Sequence, residues 1–215
     1  MMKLILSLTL IWTLSSTAEA LQCLQGLGDE DQELLPCAST QLCATVATQE
    51  NESGNFIESI SRSCLPSDLF SEGNHIFSFN VGFVTMAASV HVCNTDDCNS
   101  EDIPFPDVQE KNNLQCFTCD GRYSAECKKT VQCVGDEDRC INWFYYEGDE
   151  NYTYTLLGCA SSNLCEDSSY LGLLHFFSFE FFQPECCESS FCSSAWSVKL
   201  NVITLLFGLI TLIFY

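Results

Sequence analysis

Cys186-Cys187-Glu188-Ser189-Ser190-Phe191-Cys192 is the stretch that decides the fold. A cysteine doublet running into C-x4-C closes a set of ten cysteines at 116, 119, 127, 133, 140, 159, 165, 186, 187 and 192. Six more precede them at 23, 37, 43, 64, 93 and 98. That earlier set also ends in C-x4-C, as Cys93-Asn94-Thr95-Asp96-Asp97-Cys98. The intervals repeat. Cys37 to Cys43 is six residues and Cys133 to Cys140 is seven; Cys43 to Cys64 is 21 and Cys140 to Cys159 is 19. Cys64 to Cys93 is 29 and Cys159 to Cys187 is 28. Agreement over several intervals is the signature of an internal repeat, here of about ninety residues.

The two ends of the chain say in which compartment these thiols work. Met1 to Lys3 is a short basic head, Leu4 to Leu14 is apolar, and Ala18-Glu19-Ala20 has the form of a signal-peptidase site. An apolar run that short does not span roughly 30 Å of hydrocarbon. Residues 1–20 are expected to be removed. Val202 to Tyr215 is apolar with no Lys or Arg behind it, and Ser193-Ser194-Ala195 lies upstream. Small residues, a polar spacer and an apolar tail make a glycosylphosphatidylinositol (GPI) attachment signal. Ser193 is the expected attachment residue, with 194–215 as the propeptide. In an exported chain an even number of cysteines implies disulfides. Cys116-Phe117-Thr118-Cys119 has the spacing of a zinc or redox centre, but export argues against both. So does the scarcity of histidine, limited to His75, His91 and His175.

The expected organisation is a first domain over 21–100, a linker over 101–113 and a second domain over 114–193. Units of this size bury a modest core and gain from staples. A native disulfide typically contributes about 2–4 kcal/mol. Ile141 to Tyr146 and Tyr152 to Leu157 are rich in aromatic and β-branched residues and flank the polar stretch 147–151, which reads as a hairpin. Ser78 to Val84 and Phe177 to Phe181 partly alternate, and no sustained helical period appears. The class is all-β.

At this point the second half resembles the ten-cysteine pattern of the lymphocyte-antigen-six/urokinase-receptor family, with Leu114-Gln115 before Cys116, Gly158 before Cys159, and the closing doublet. The resemblance implies tandem three-finger domains, each three β-hairpins leaving a knot of disulfides. It implies the pairs Cys116–Cys140, Cys119–Cys127, Cys133–Cys159, Cys165–Cys186 and Cys187–Cys192. In the first half it implies Cys23–Cys43, Cys37–Cys64 and Cys93–Cys98. Gly26 stands where the family has a second cysteine, and Phe70 and Val92 stand near the positions matching Cys165 and Cys186. Two whole pairs are gone, so no thiol is orphaned. The family places Asn after its last cysteine; Asn99 fits, and Ser193 departs from the pattern. The resemblance implies a non-catalytic, GPI-anchored surface protein for adhesion or ligand capture. The other reading is a secreted two-domain inhibitor of an extracellular enzyme such as a phospholipase.

The rest of the chemistry agrees with a binding role. The sequence holds no G-x-S-x-G, no H-E-x-x-H and no phosphate loop. No cofactor and no metal is implied. The whole chain carries a formal charge of −21; without Lys3, Lys199 and Glu19, residues 21–193 carry −22. That charge repels nucleic acid. It points either to a basic protein partner or simply to solubility. Asp29-Glu30-Asp31 and Asp136-Glu137-Asp138 read as solvated loops. Asn51-Glu52-Ser53 and Asn151-Tyr152-Thr153 are N-glycosylation sequons, both expected on middle-finger hairpins. Phe176, Phe177, Phe179, Phe181 and Phe182 cannot all enter one thin core, because a strand alternates its faces. They read as a ligand surface or as packing between domains.

Overall fold

Period-two patterning sets the strands. In Val84–Cys93 the buried residues Val84, Met86, Ala88, Val90 and Val92 alternate with half-buried ones along the whole length. In Gln41–Glu52 the run Leu42 to Ala47 is buried without alternation, as expected of a strand covered on both faces. The computed structural model describes residues 20–28, 32–121, 124, 126–146, 153–166, 180–181 and 184–193.

The elements in chain order are β1 (Gln22–Leu27), β2 (Glu33–Pro36), β3 (Gln41–Glu52), β4 (Asn55–Pro66), β5 (Gly73–Asn80) and β6 (Val84–Cys93). They continue with β7 (Lys111–Thr118), β8 (Lys129–Val134), β9 (Arg139–Tyr146), β10 (Thr153–Ala160), α1 (Ser162–Glu166), β11 (Glu180–Phe181) and β12 (Glu185–Cys187). β1–β2, β7–β8 and β9–β10 pair as antiparallel hairpins and β3–β4 and β5–β6 are sheet neighbours, the three-finger arrangement, and the class is all-β. The first six strands lie in the order β2-β1-β4-β3-β6-β5. Register runs Cys23↔Leu35 in the first hairpin, Cys116↔Val131 in β7–β8 and Cys140↔Cys159 in β9–β10. The helix α1 is a single short helix where the expected elements are all strands.

Contacts group the chain into two compact units. The first gathers the described residues of 1–47, 58–75 and 89–105. The second gathers 48–57, 76–88 and the described residues of 106–215.

In the first unit the core is built on sulfur. Cys23, Cys37 and Cys43 are buried together, with Leu21, Cys64, Cys93 and Cys98 packed around them. The disulfides are Cys23–Cys43, Cys37–Cys64 and Cys93–Cys98. Phe70 and Val92 are each 1% exposed, so apolar side chains fill positions where the second repeat has cysteines.

In the second unit Cys116, Cys133, Cys140 and Cys159 form the equivalent cluster. Five disulfides staple it: Cys116–Cys140, Cys119–Cys127, Cys133–Cys159, Cys165–Cys186 and Cys187–Cys192. Strand β9 carries β10 on one side and β11 and β12 on the other. Residues Ile76 to Ala88 pack here. Phe79 and Asn80 pair with Ala160 and Cys159 of β10, and Phe79 meets Trp143 edge to face at 6.1 Å. The Ser78 and Ser161 main chains are joined by Ser161 N donating to Ser78 O at 2.9 Å. Asn163 Nδ2 donates to Ile76 O at 2.8 Å, and Thr118 Oγ1 donates to Val81 O.

Candidate functional site

The knots are chemically closed. Cys37 Sγ lies 2.9 Å from Cys23 Sγ, and Cys116 Sγ lies 3.4 Å from Cys133 Sγ. Three sulfurs cluster in each knot at spacings a metal ion would accept. Every one of them is oxidised into a disulfide, and no cysteine of the chain is free. A thiolate is what ligates zinc or attacks a substrate, so these clusters are structural.

The histidines are engaged separately. A ring nitrogen of His75, Nε2, lies 2.9 Å from Ser71 O, and the His75 ring meets Phe70 edge-on at 5.8 Å. His91 Nδ1 lies 2.7 Å from Asn74 Oδ1. His175 lies outside the described residues.

What the knots present to solvent is hairpin surface. Strand β2 is exposed throughout, and on the β1–β2 hairpin Leu27, Leu34 and Leu35 are 66%, 50% and 40% exposed. Cross-strand pairing puts Leu34 opposite Leu24 and Leu35 opposite Cys23, so the two leucines point to opposite faces. The outward main-chain groups of β2 include those of Pro36, which has no N–H to offer. The edge is therefore poor at accepting another strand, and side chains rather than backbone supply its contact surface. In the second unit Phe56 and Ile57 are exposed near the β3–β4 turn, and Phe191 is partly exposed against Phe117, ring centroids 5.2 Å apart.

The residues singled out from sequence fall as follows. Asn51 is exposed, the next-to-last residue of β3 and two residues before the Ser53-Gly54 turn. Asn151 lies outside the described residues. Of the aromatic run, Phe181 pairs through its main chain with Tyr145, while Phe176, Phe177, Phe179 and Phe182 lie outside the described residues. Ser193 is 6% exposed, and its hydroxyl is buried with no hydrogen-bond partner. Asn99 is buried and bonds main-chain groups of Leu24 and Ala44.

One acidic stretch departs from its reading as a solvated loop. Glu137 is 2% exposed, because its carboxylate turns inward to accept Val134 N at 2.9 Å. Asn112 Nδ2 ties the same turn down, donating to Gly135 O and Glu137 O at 3.0 Å each. Burial raises the Glu137 pKa from 4.5 to about 7, against the opposing Val134 bond. A buried arginine was not foreseen either. Arg62 is 4% exposed, and its Nε donates to Asn99 O at 2.9 Å while Nη2 reaches Ser100 O and the Asp102 carboxylate. Nothing in the local sequence separates Arg62 from a solvated basic residue. The helix α1 did leave a signal: Ser161-Ser162-Asn163 before Leu164 is a run of capping residues.

Hairpin fingers on two disulfide knots define a tandem three-finger protein. The u-PAR/Ly-6 domain profile matches residues 19–101 and again 112–195, and the chain belongs to that family. It is 25% identical over 204 residues to the urokinase plasminogen activator surface receptor of Aotus trivirgatus, covering 87% of this chain and 57% of that protein. It is 35% identical over 86 residues to a phospholipase A2 inhibitor of the gamma type from Elaphe climacophora, covering 38% of this chain and 43% of that protein. The crystal structure of mouse TEX101 aligns at a TM-score of 0.30 and 17% identity, over 80% of this chain and 98% of that one. The chain spans about a third to somewhat over half the length of the curated relatives it matches. Among the described residues no helix is long and apolar enough to cross a membrane.

Proposed function

We propose that this chain is a non-catalytic binding protein of the outer cell surface, held by a GPI lipid and taking a protein ligand on its finger surfaces. The observation that carries the reading is the exposure of Leu27, Leu34 and Leu35 on one hairpin above a knot with no free chemistry. Leu34 and Leu35 lie on opposite faces of this hairpin, so each face offers apolar contact area. Membership of the u-PAR/Ly-6 family and similarity to a surface receptor support it. Ser193 is the proposed anchor residue. Transamidation would use its carboxyl carbon, so the buried hydroxyl is not consumed. The charge of 21–193 favours a basic partner, with association faster at low salt. The Phe176–Phe182 run is a second proposed ligand surface, since aromatic residues are frequent binding anchors.

The test has two arms. A phosphatidylinositol-specific phospholipase should release the protein from expressing cells. Changing Leu27, Leu34 and Leu35 together to Ser should abolish capture of ligand by the ectodomain while leaving surface display intact. Retention on the membrane after lipase treatment, with Tyr215 still in the mature chain, sinks the anchor. Unchanged ligand capture sinks this hairpin as the site.

A second reading, inhibition of a secreted phospholipase, is favoured by the similarity to the Elaphe inhibitor. It predicts that the soluble ectodomain suppresses phospholipase A2 turnover in a purified assay.

A further inference from the structure

Asn51 and Phe56 face each other across the middle finger. Strand β3 ends at Glu52 and β4 begins at Asn55, so Ser53-Gly54 is a two-residue loop. Both loop residues have positive φ, 52° and 93°, the backbone of a type I′ hairpin turn. A two-residue loop sets Glu52 opposite Asn55 and therefore Asn51 opposite Phe56. Directly opposed residues share one face, with Cβ atoms about 5 Å apart. Phe56 is 61% exposed and makes no ring contact among the described residues.

The Asn51 amide is oriented. Gly54 N donates to Asn51 Oδ1 at 3.0 Å. That bond fixes the oxygen over the turn and turns Nδ2, the atom that takes an N-linked sugar, away from it. Ser53 adds a second pointer. Type I′ loops favour Asn or Gly at the first position, and a left-handed serine costs about 1 kcal/mol. The Ser53 hydroxyl makes no hydrogen bond within the turn, so local folding gives no reason for it, whereas the sequon requires it.

We infer that Asn51 carries an N-glycan whose first N-acetylglucosamine lies on the Phe56 ring. A sugar linked to Nδ2 starts within reach of the opposed side chain. The C–H groups on one face of a pyranose suit the electron-rich face of an aromatic ring. The glycan covers Phe56 and leaves Ile57, on the opposite face of the strand, in water. This rests on the reading of an exported chain, because the sugar is added in the secretory lumen.

The experiment uses the full chain expressed in mammalian cells in an Asn151→Gln background, so that only Asn51 is read. Peptide mass spectrometry should find Asn51 occupied. Trimming to one N-acetylglucosamine and comparing with Ser53→Ala, which keeps Asn51 but loses the sequon, should show a Tm about 2–4 °C higher for the sugar-bearing protein. The gain should persist in Ile57→Ala and vanish in Phe56→Ala. An exported protein with bare Asn51, or a gain undiminished in Phe56→Ala, overturns the inference alone. A chain that stays in the cytosol overturns the export reading beneath it.

Discussion

The side-chain amide of Asn99 bonds both main-chain groups of Leu24. Leu24 N donates to Oδ1 at 2.9 Å, and Nδ2 donates to Leu24 O at 2.8 Å. The same Nδ2 reaches Ala44 O at 3.0 Å, so one residue ties β1 to β3 beside the knot. Its own carbonyl accepts Thr45 Oγ1 and Arg62 Nε. Asn99→Ala leaves the half-buried N–H and C=O of Leu24 and the buried carbonyl of Ala44 without these partners. Each lost bond to a buried group costs of order 1 kcal/mol, so a loss of roughly 2–4 kcal/mol is expected. Denaturant titration of the oxidised ectodomain measures it. A loss under about 0.5 kcal/mol, the size of an ordinary surface substitution, would show that the bonds are incidental.

Ser193 follows the last cysteine of the second repeat as Asn99 follows that of the first, but its hydroxyl is buried and unbonded. A serine is too short to bridge two strands as the Asn99 amide does. Ser193→Asn should therefore add about 1 kcal/mol of stability. Thermal melting of an ectodomain ending beyond 193 reads the change. A lower melting point would mean that the second knot has closed over the smaller side chain and has no room for an amide.

Glu137 should make stability depend on pH. Its folded pKa of about 7 lies above the ordinary 4.5, so the folded state holds the proton more tightly than the unfolded chain. The contribution is greatest below about 4.5 and is lost as pH rises through about 7. Glu137→Gln keeps an oxygen for Val134 N and removes the charge. It should stabilise the protein near pH 8 by about 2–3 kcal/mol, and the difference should shrink to near zero around pH 4. A constant offset between wild type and variant across that range would contradict a buried titrating carboxyl.

The fold was legible in the sequence because cysteine spacing is discrete. A knot tolerates little variation in the chain between its staples, so the repeat survives as counted intervals. The aromatic stretches either side of 147–151 marked β9 and β10, whereas the alternation read over Ser78 to Val84 covers the end of β5 and the turn into β6. Glu137 and Arg62 were hidden because their burial depends on partners elsewhere in the chain. A carboxylate between Asp136 and Asp138 looks solvated until Val134 and Asn112 are seen to hold the turn inward. The placement of Ile76 to Ala88 was hidden for the same reason. The sequence marks only Ser78 to Val84 as strand and says nothing of Trp143 or Ser161 beside it.

Gly158 tests that placement. A Cβ at this position would lie 2.1 Å from Asn80 O and 2.8 Å from Val81 Cα, both main-chain atoms that no rotamer change can move. Gly158 is thus the residue that lets β10 approach the end of β5 closely enough for Asn80 to pair with Cys159. Gly158→Ala should push the two backbones apart, break the pairing, and separate Phe79 from Trp143. The readout is specific. Trp12 and Trp196 lie outside 21–193, so Trp143 is the single tryptophan of that segment, and it is 1% exposed. Its emission in the folded ectodomain should be blue-shifted, and Gly158→Ala should move it to the red as water enters. Stability should fall by roughly 2–4 kcal/mol, the range for overpacking against an immovable neighbour with loss of buried contacts. Ser161→Ala serves as a milder variant should the glycine change prevent export. It removes the hydroxyl that accepts Ser78 N at 3.1 Å and should shift the emission in the same direction by less. Unchanged Trp143 emission in both variants, with every disulfide formed, would show that the 76–88 segment does not pack on β10 in solution.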